Sequence, residues 1–439
     1  MNYAILGRLL GVVVCVLFLV TAYLYNFAVF CRWRSSTSSV RMALFADPQM
    51  EGDTKLLRER WTGWLDLKFN DYYTRHIVRT IHHKTRPTHV GYMGDIFSYQ
   101  WLNKQEFGRR VERFRWVSGQ TDGDGNFLSP SVSVVNVSGN HDIGYGQDVN
   151  PRYLRQWEQA FGAVNYQSML TVANNSRTQR MVVLNTQNLD KSHDKNLQND
   201  TWSFLQQVVK EHWKQRFSNP VILLMHIPLY KPEGVCMDPP STLLNQRGEV
   251  IRQNMLPEWV SKYILYCLRP TVIITGHDHE GCRVQHTVVT QEAYHSYNPQ
   301  LESWCQSPWE QLESGMASID HFFQLSFKNI PISAKPLKTV SAKRIWEISH
   351  YSAPEITMRS VMGDYGGNAG LFEITALDAT RFTYRYQDCP LGHHLIVRVV
   401  LIADILVGVA VLAFVICYTL LPTTWHQFTA VSTDPKKEH

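Results

Sequence analysis

Five short polar motifs lie along the chain, and each follows an apolar stretch. They are Asp47-Pro48-Gln49, Gly94-Asp95, Gly139-Asn140-His141-Asp142, Met225-His226-Ile227-Pro228 and Gly276-His277-Asp278-His279. Singly, each is weak evidence, because an Asp after a strand is usually a turn residue and a lone His is more often a hydrogen-bonded core residue. Together they supply carboxylate, amide and imidazole groups, which are donors for divalent metals. Five such motifs at successive strand ends predict a metal centre.

The apolar stretches before these motifs indicate the strands that position them. The expected strands are Val40–Ala46, Thr88–Gly94, Val132–Val137, Arg180–Leu184, Val221–Met225 and Thr271–Thr275, and strands resume at Glu355–Val361, Leu371–Thr375 and Arg381–Arg385. The intervening stretches have a helical composition, namely Phe69–Lys84, Gln100–Trp116, Trp202–Phe217 and Pro257–Leu268. This alternation predicts an α/β architecture with a largely buried sheet. Residues 283–350 show little periodicity and are expected to form an insertion or lid.

The ordered motifs resemble those of the calcineurin-like metallophosphoesterases over most of residues 42–280. The resemblance implies an α/β fold, a β-sandwich flanked by helices, with two divalent metal ions between the strand ends. Asp47 and His279 would hold the first ion, Asp95 would bridge both, and Asn140, His226 and His277 would hold the second. Mn²⁺ is the expected metal, with Zn²⁺ or Fe as alternatives.

Gln49 departs from the family pattern, which usually has His at this position. A neutral amide oxygen binds metals less strongly than imidazole does. The first site is therefore looser, more selective for a hard ion or completed by water, or else the protein is an inactive enzyme.

The resemblance also implies a mechanism for phosphoester hydrolysis. Two ions about 3.5–4 Å apart would activate a bridging hydroxide for in-line attack on phosphorus. His141 is the candidate acid for the leaving oxygen, oriented by Asp142, and its alternative is a structural role next to the ligands. The sequence has no G-x-S-x-G, P-loop or dinucleotide motif that would indicate another chemistry.

Two apolar segments, Leu9–Phe30 and Val399–Leu421, are each long enough to span a bilayer, and only Asp404 interrupts the second. The first is expected to be a signal anchor, because Cys31-Arg32-Trp33-Arg34 is no small-residue cleavage site. The predicted order is a short cytosolic N-terminus (1–8), a transmembrane helix (9–30), a lumenal domain (31–394), a second transmembrane helix (395–421) and a cytosolic tail (422–439).

Several features favour a lumenal domain. Glycans are expected on the sequons at Asn174 and Asn199 but not at Asn136, and some of the six cysteines outside the apolar segments should be disulfide-bonded. Lys436 and Lys437 resemble a dilysine signal for retrieval to the endoplasmic reticulum. Basic residues argue the other way, because Arg32, Arg34 and Arg41 follow the first segment, against only Arg8 before it. The positive-inside rule counts short loops, and this loop is long.

A finer resemblance lies in stretches such as FADPQMEGD, GDIFSYQW, NHDIGYG, LLMHIPLYKP and GHDHEGC. They are similar to the endoplasmic-reticulum phosphodiesterases that remove an ethanolamine-phosphate side branch from a mannose of GPI anchors, and more similar to the fungal branch that acts on the second mannose. The resemblance implies GPI-anchored proteins as partners, an endoplasmic-reticulum location with cycling to the Golgi, and contacts of the tail with coat or cargo-receptor machinery. A net charge of only +5 gives no indication of nucleic-acid binding.

Substrate-binding residues are less well defined by the sequence. Arg359 is a candidate for binding a phosphate oxygen, or it makes a surface or structural salt bridge. Tyr365 and Asn368 either shape a glycan pocket or belong to a turn. Four tryptophans could stack on sugars, contact a bilayer or cage an ammonium group, or else pack in the core, namely Trp61, Trp64, Trp304 and Trp309.

Two other functions stay open at this point. One is an inactive escort for GPI-anchored proteins, which only Gln49 supports. The other is a lumenal protein phosphatase or nucleotide phosphohydrolase with the same site.

Overall fold

The computed structural model describes residues 3–34, 40–98, 100–121, 125–172, 178–236, 240–289, 305, 332–337, 341–343, 350–377 and 381–420. The chain forms two compact units. One unit comprises Met1–Asn26 with His394–His439, and the other comprises Phe27–His393.

Eight α-helices occur within the described residues. They are α1 (Tyr3–Asn26), α2 (Asp53–Thr85), α3 (Lys104–Ser118), α4 (Asn140–Ile143), α5 (Pro151–Phe161), α6 (Lys195–Lys214), α7 (Glu258–Tyr263) and α8 (His394–Leu420). Short 3-10 turns lie at Phe27–Phe30, Thr186–Asn188 and Gly363–Tyr365.

The strands of the described residues are β1 (Val40–Phe45), β2 (His89–Met93), β3 (Ser133–Val137), β4 (Tyr166–Thr171), β5 (Thr178–Leu184), β6 (Val221–Met225), β7 (Thr242–Leu244), β8 (Val250–Gln253), β9 (Val272–Thr275), β10 (Cys282–Val289), β11 (Ile332–Pro336), β12 (Ser341–Lys343), β13 (His350–Thr357), β14 (Asn368–Ala376) and β15 (Phe382–Pro390).

These strands form two large sheets and a hairpin. One sheet has the order β12-β15-β14-β1-β2-β3, the other has the order β11-β10-β13-β9-β6-β5-β4, and β7 pairs with β8. Strands β1, β2 and β3 run parallel in the first sheet, as do β5, β6, β9 and β13 in the second. The α/β fold predicted from the sequence is confirmed.

The main core lies between the two sheets. Alternate residues of β1 (Met42 and Leu44) pack with Ile222, Leu224 and other buried residues of the second sheet. This follows from strand geometry, because side chains with period 2 share one face. The outer face of the second sheet packs on α6 and α7, through Trp202 among others. The two sheets therefore form a sandwich, and helices pack on its outside.

Helix α2 is longer than the sequence predicted. The predicted helix Phe69–Lys84 is its carboxyl-terminal half, and the helix begins at Asp53 with a kink at Arg60, where φ is 52°. Trp61 and Trp64 lie in the first half and are 71% and 53% exposed. Amphipathic helices are recognised by a polar exposed face, and the exposed face of this segment carries large apolar residues, so the sequence pattern did not indicate a helix there.

The segment predicted as an insertion begins and ends within the sheets. Strand β10 pairs with β13 and β11, and β12 pairs with β15. Most of residues 290–349, including Trp304 and Trp309, lies outside the described residues.

Three disulfides link the six cysteines, namely Cys31–Cys389, Cys236–Cys282 and Cys267–Cys305. Disulfides form and persist in oxidising compartments, so they indicate a domain that lies in the secretory pathway or outside the cell.

Two helical segments, Ile5–Phe30 and His394–Cys417, are long and apolar enough to cross a membrane, with mean hydropathy 2.5 and 3.0. The second segment and residues 5–26 of the first belong to the other unit. Within it, Thr21 Oγ1 donates a hydrogen bond to Asp404 Oδ2 at 2.8 Å. The carboxylate that interrupts the second segment therefore has a partner in the first.

Candidate metal centre

The five motifs lie at the carboxyl ends of β1, β2, β3, β6 and β9. Backbone hydrogen bonds continue the pairing beyond the strands, because the Gln49 amide donates to the Asp95 carbonyl at 2.9 Å and the Gly276 amide donates to the His226 carbonyl at 3.2 Å. Ligands of open α/β sheets bind at this edge. The structure brings all seven predicted metal ligands to it.

One group of donors surrounds Oδ1 of Asp95. His226 Nε2 lies 3.3 Å from this oxygen, 3.1 Å from Asn140 Oδ1 and 3.2 Å from His277 Nδ1. Ligand atoms of Asp95, His226 and His277 all lie within 4.8 Å of one another. These are the residues that the family resemblance assigned to the second ion, together with the bridging carboxylate.

Backbone carbonyls determine which imidazole nitrogens carry protons. His226 Nδ1 lies 2.8 Å from the Met93 carbonyl oxygen, and His277 Nε2 lies 2.7 Å from that of Gln253. Because a carbonyl oxygen only accepts hydrogen bonds, both of these nitrogens carry a proton and donate a hydrogen bond to the carbonyl. In the neutral rings the lone pairs on His226 Nε2 and His277 Nδ1 therefore point at each other. Four lone-pair groups converge when Asp95 and Asn140 are included, and this donor set fits a divalent cation.

The second group of donors lies on the Oδ2 side of Asp95. Gln49 Nε2 is 3.3 Å from Asp95 Oδ2 and 3.1 Å from His279 Nε2, and His279 Nε2 is 4.0 Å from Asp47 Oδ1. The two oxygens of Asp95 thus face different groups, as a bridging carboxylate requires. Gln49 would bind a metal through Oε1, and a half-turn of its amide exchanges that atom with Nε2.

Four of these residues have left-handed backbone conformations although none is glycine. The φ angles are 51° at Asp47, 40° at Gln49, 50° at Asp95 and 76° at His277. Each costs of the order of 1–3 kcal/mol and persists only where the surroundings enforce it, typically at functional sites. Here the amide of His277 donates to both carboxylate oxygens of Asp47, at 3.1 and 3.2 Å.

Glycines allow the motifs to approach one another. A Cβ atom on Gly139 would lie 2.1 Å from Asp95 Oδ1, and one on Gly94 would lie 2.3 Å from His226 Nδ1. Any side chain at either position would displace a predicted ligand.

The electrostatics of the centre favour positive charge. Burial alone would lower the pKa of His226, but Asp95 and Asp47 raise it to about 9. Burial alone would raise the pKa of Asp95, but His226 and other histidines hold it below its usual value. Burial lowers the pKa of His277 to about 3 and that of His279 to about 4, so both rings are neutral, as metal ligands must be.

His141 lies at the exposed side of the centre. Its amide donates to Asp95 Oδ1 at 2.8 Å, its ring Nε2 is 3.9 Å from Asp95 Oδ2, and its side chain is 40% exposed. A ring in this position can reach a bound phosphoester without being a ligand.

Asp142 differs from the expectation that it orients the His141 ring. Its two oxygens accept from the amides of Phe97 at 3.0 Å and Gly139 at 2.8 Å, and the residue is 4% exposed. Burial, reinforced by Asp95, raises its pKa to about 8. Asp142 therefore fixes the backbone of the motif, because it caps α4 and ties it to the loop after β2.

Two of the three predicted substrate-binding residues lie at the surface near the centre. The Tyr365 ring lies 4.6 Å from that of His279, and Arg359 is exposed directly before Ser360, whose amide donates to the His279 carbonyl. Asn368 has the other role that the sequence allowed. It is 2% exposed and donates to the Tyr365 carbonyl at 2.8 Å, so it holds the turn.

Of the predicted glycosylation sites, Asn199 is exposed on α6, and Asn174 lies outside the described residues. Asn136 lies in β3 and donates to the Phe161 carbonyl at 3.1 Å, and the absence of a glycan there stays a prediction. The tail with Lys436 and Lys437 also lies outside the described residues.

Sequence reasoning missed the hairpin of β7 and β8, which brings the Gln253 carbonyl to His277. The contribution is a backbone oxygen, so no side chain at residue 253 could indicate it.

Comparisons with known proteins agree with this centre. The calcineurin-like phosphoesterase family profile matches residues 41–281. An uncharacterised Schizosaccharomyces pombe protein, C23A1.02c, is 30% identical over 62% of this chain and 70% of its own length. Protein TED1 of Saccharomyces cerevisiae is 26% identical over 82% of this chain and 80% of its own. Metallophosphoesterase 1 of Ailuropoda melanoleuca is 26% identical over 53% and 60%, respectively.

Proposed function

The chain belongs to the calcineurin-like phosphoesterase family and is a metal-dependent phosphoesterase. We propose that it removes an ethanolamine-phosphate side branch from a mannose of GPI anchors. The substrate is a phosphodiester carried on a membrane lipid, and the second mannose is the proposed position. The proposed location is the membrane of the endoplasmic reticulum, with the catalytic domain in the lumen.

One observation carries the proposal. A disulfide-bonded phosphoesterase domain lies in the sequence between two segments that are each apolar enough to cross a membrane. Such an enzyme would act at a membrane surface in an oxidising compartment, which is the location that the resemblance to the GPI-anchor phosphodiesterases implies. The stretches that resemble the GPI-anchor phosphodiesterases favour the same substrate.

Each part of the centre has a task in this reaction. Two divalent ions, proposed as Mn²⁺, supply Lewis acidity and an activated water when bound. Asp95, His226, His277 and Asn140 would hold one ion, and Asp47, Gln49 and His279 would complete the other with Asp95. His141 would donate a proton to the departing sugar oxygen, whose alkoxide is strongly basic. Arg359 and Tyr365 would contact the phosphate and the glycan.

Mass spectrometry of GPI glycans tests the proposal. Cells that lack the protein should accumulate glycans with one additional ethanolamine-phosphate, and wild-type protein but not Asp95→Ala should remove it. If the glycans are unchanged but the purified enzyme hydrolyses generic phosphodiesters, the result would favour the alternative function of a lumenal protein phosphatase or nucleotide phosphohydrolase. Restoration by Asp95→Ala would instead show that the protein acts as an escort without catalysis.

A further inference from the structure

Three arginines that oppose the positive-inside rule, Arg32, Arg34 and Arg41, follow the first apolar segment. Arg32 and Arg34 line a cleft. The cleft has a volume of about 660 Å³, and Arg32, Arg34, Arg283 and Arg385 contribute to its walls. Its acidic residues are Glu373 and Asp388, so guanidinium groups outnumber carboxylates by two. All these residues belong to the unit Phe27–His393.

The register of the sheet explains how the charges converge. Glu373 of β14 lies opposite Arg385 of β15 and opposite Arg41 of β1, so the three side chains share one face. This is the outer face, because the neighbouring residues Phe372 and Tyr384 belong to the core between the sheets. The segment Phe30–Arg34 lies along this face, since Gln387 Nε2 donates to the Phe30 carbonyl at 3.0 Å and the Arg34 amide donates to Glu373 Oε2 at 3.1 Å.

The two carboxylates already have partners. Asp388 forms an ion pair with Arg283, whose guanidinium also lies 5.3 Å from the Tyr386 ring centroid. Among the residues that the structure describes, the guanidinium groups of Arg34 and Arg385 have no ion-pair partner, and both residues are exposed. Planar guanidinium groups bind phosphate through paired hydrogen bonds.

Residues of this cleft lie close in sequence to both apolar segments. Phe30 ends the apolar segment Ile5–Phe30, is 74% exposed and lines the cleft. Asp388 precedes the second segment, which begins at His394, by six residues, a distance that an extended chain covers in roughly 20 Å. The Cys31–Cys389 disulfide joins the two walls.

The cleft is separate from the metal centre. Asp388 lies opposite Gly370, which lies opposite Leu44, three residues before Asp47. Two steps between strands and three residues along β1 amount to roughly 14 Å.

We infer that this arginine cleft binds the phosphate-bearing headgroup of an anionic phospholipid. Phe30 would contact the upper acyl region, while Arg34 and Arg385 bind the phosphate. This binding explains why basic residues follow the first segment on the side that the proposed topology makes lumenal.

Lipid binding can be measured without phosphoester turnover, so the outcome is independent of the proposed function. The full-length protein in detergent is titrated with dioctanoyl phosphatidylinositol or dioctanoyl phosphatidylcholine, and bound lipid is counted by native mass spectrometry. Wild-type protein should bind the anionic lipid at least tenfold more tightly. The double variant Arg34→Gln/Arg385→Gln should lose roughly 25-fold in affinity, because each arginine near anionic headgroups contributes about fivefold.

Matched controls separate the cleft from general charge. Arg152→Gln/Arg155→Gln removes two exposed arginines of α5 and should leave the affinity unchanged. Arg34→Lys/Arg385→Lys keeps the charge and should retain part of the binding. Thermal unfolding and metal content verify that each variant folds. If the double glutamine variant does not fold, the single variant Arg385→Gln is used instead, and it should lose about fivefold in affinity for the anionic lipid.

Three results would overturn the inference. The first is equal affinity of the wild-type protein for the two lipids, and the second is unchanged affinity of the double glutamine variant. The third is competition by glycerophosphoinositol at the concentration at which the lipid binds, since this would show a site for soluble phosphate.

Discussion

Gly139→Ala tests whether Asp95 holds metal, without changing any proposed ligand. The new Cβ would lie 2.2 Å from the Asp95 backbone nitrogen, whereas ordinary contacts begin at 3.4 Å. A gap of about 1.2 Å must therefore open between the motif that contains Gly139 and the motif that contains Asp95. The obstructing atom belongs to the backbone, so no side-chain rotation can relieve the contact. Gly139 has φ −109°, which any residue adopts, so the effect is steric.

The expected loss follows from this displacement. A shift of about 1 Å in catalytic groups can reduce the rate roughly 100-fold, or about 2.7 kcal/mol in transition-state stabilisation. Metal affinity should fall roughly 10–100-fold, as it does when groups that orient metal ligands are changed. Bound metal is measured by elemental analysis after dialysis, and activity is measured with a generic phosphodiester over a range of Mn²⁺ concentrations.

Gly108→Ala is the matched control. It makes the same chemical change inside α3, where no atom beyond the neighbouring backbone of the helix lies within 4 Å of the new Cβ. Alanine in a helix interior should stabilise the protein by up to about 1 kcal/mol and leave metal content unchanged. If Gly139→Ala binds metal and turns over like Gly108→Ala, Asp95 is not a ligand or the motif relaxes freely, and the geometric argument fails.

Three further perturbations address individual groups. His141→Ala should slow hydrolysis of an alkyl phosphodiester by about 10²–10⁴-fold, barely affect an aryl ester whose phenolate leaves unaided, and keep its metal; equal losses on both esters would remove His141 from the acid role. Gln49→His should tighten metal binding and shift the preference away from Mn²⁺, and an unchanged titration would show that Gln49 is not a ligand. Glu355 accepts from Lys231 Nζ at 2.5 Å and is close to His286 Nε2 at 2.8 Å. Burial alone would raise the pKa of Glu355, but Lys231 and His286 hold it at about 2, below the usual 4.5. A lowered pKa stabilises the fold above pH 4.5, and the stabilisation disappears as the pH falls toward 2. Wild-type protein should therefore lose about 2–3 kcal/mol more than Glu355→Gln between pH 6 and pH 2.5 in urea unfolding, and parallel pH profiles would contradict this.

The sequence predicted the strands and the ligands that follow them because both signals are local. The six strands predicted before residue 276 occur within a few residues of their expected bounds, and parallel pairing within each sheet then places their carboxyl ends together. The positive φ angles at Asp47, Gln49 and Asp95 have no such signal. They depend on hydrogen bonds between motifs that are far apart in sequence, such as Gln49 to Asp95.

The role of Asp142 and the start of α2 show two other limits. Asp142 lies next to His141 in sequence, which suggested a contact between the side chains, but its carboxylate is used by backbone amides of its own loop and of Phe97. The first half of α2 exposes Leu57, Trp61 and Trp64, so amphipathic periodicity could not indicate a helix there. Disulfide pairing likewise depends on the fold, since Cys31 and Cys389 are 358 residues apart.

Charge argues against the interpretation of Gln49 as a sign of an inactive enzyme. Among the seven proposed ligands only Asp47 and Asp95 carry negative charge, so two divalent ions would leave a net charge of about +2 at the centre. A phosphodiester carries one negative charge, and glutamine in place of histidine exchanges one neutral group for another. The attraction for substrate is therefore retained. What changes is the donor, from an imidazole nitrogen to a harder amide oxygen, which favours Mn²⁺ over Zn²⁺. Gln49 is thus better explained as a determinant of metal preference than as a loss of catalysis, and the Gln49→His titration measures that preference directly.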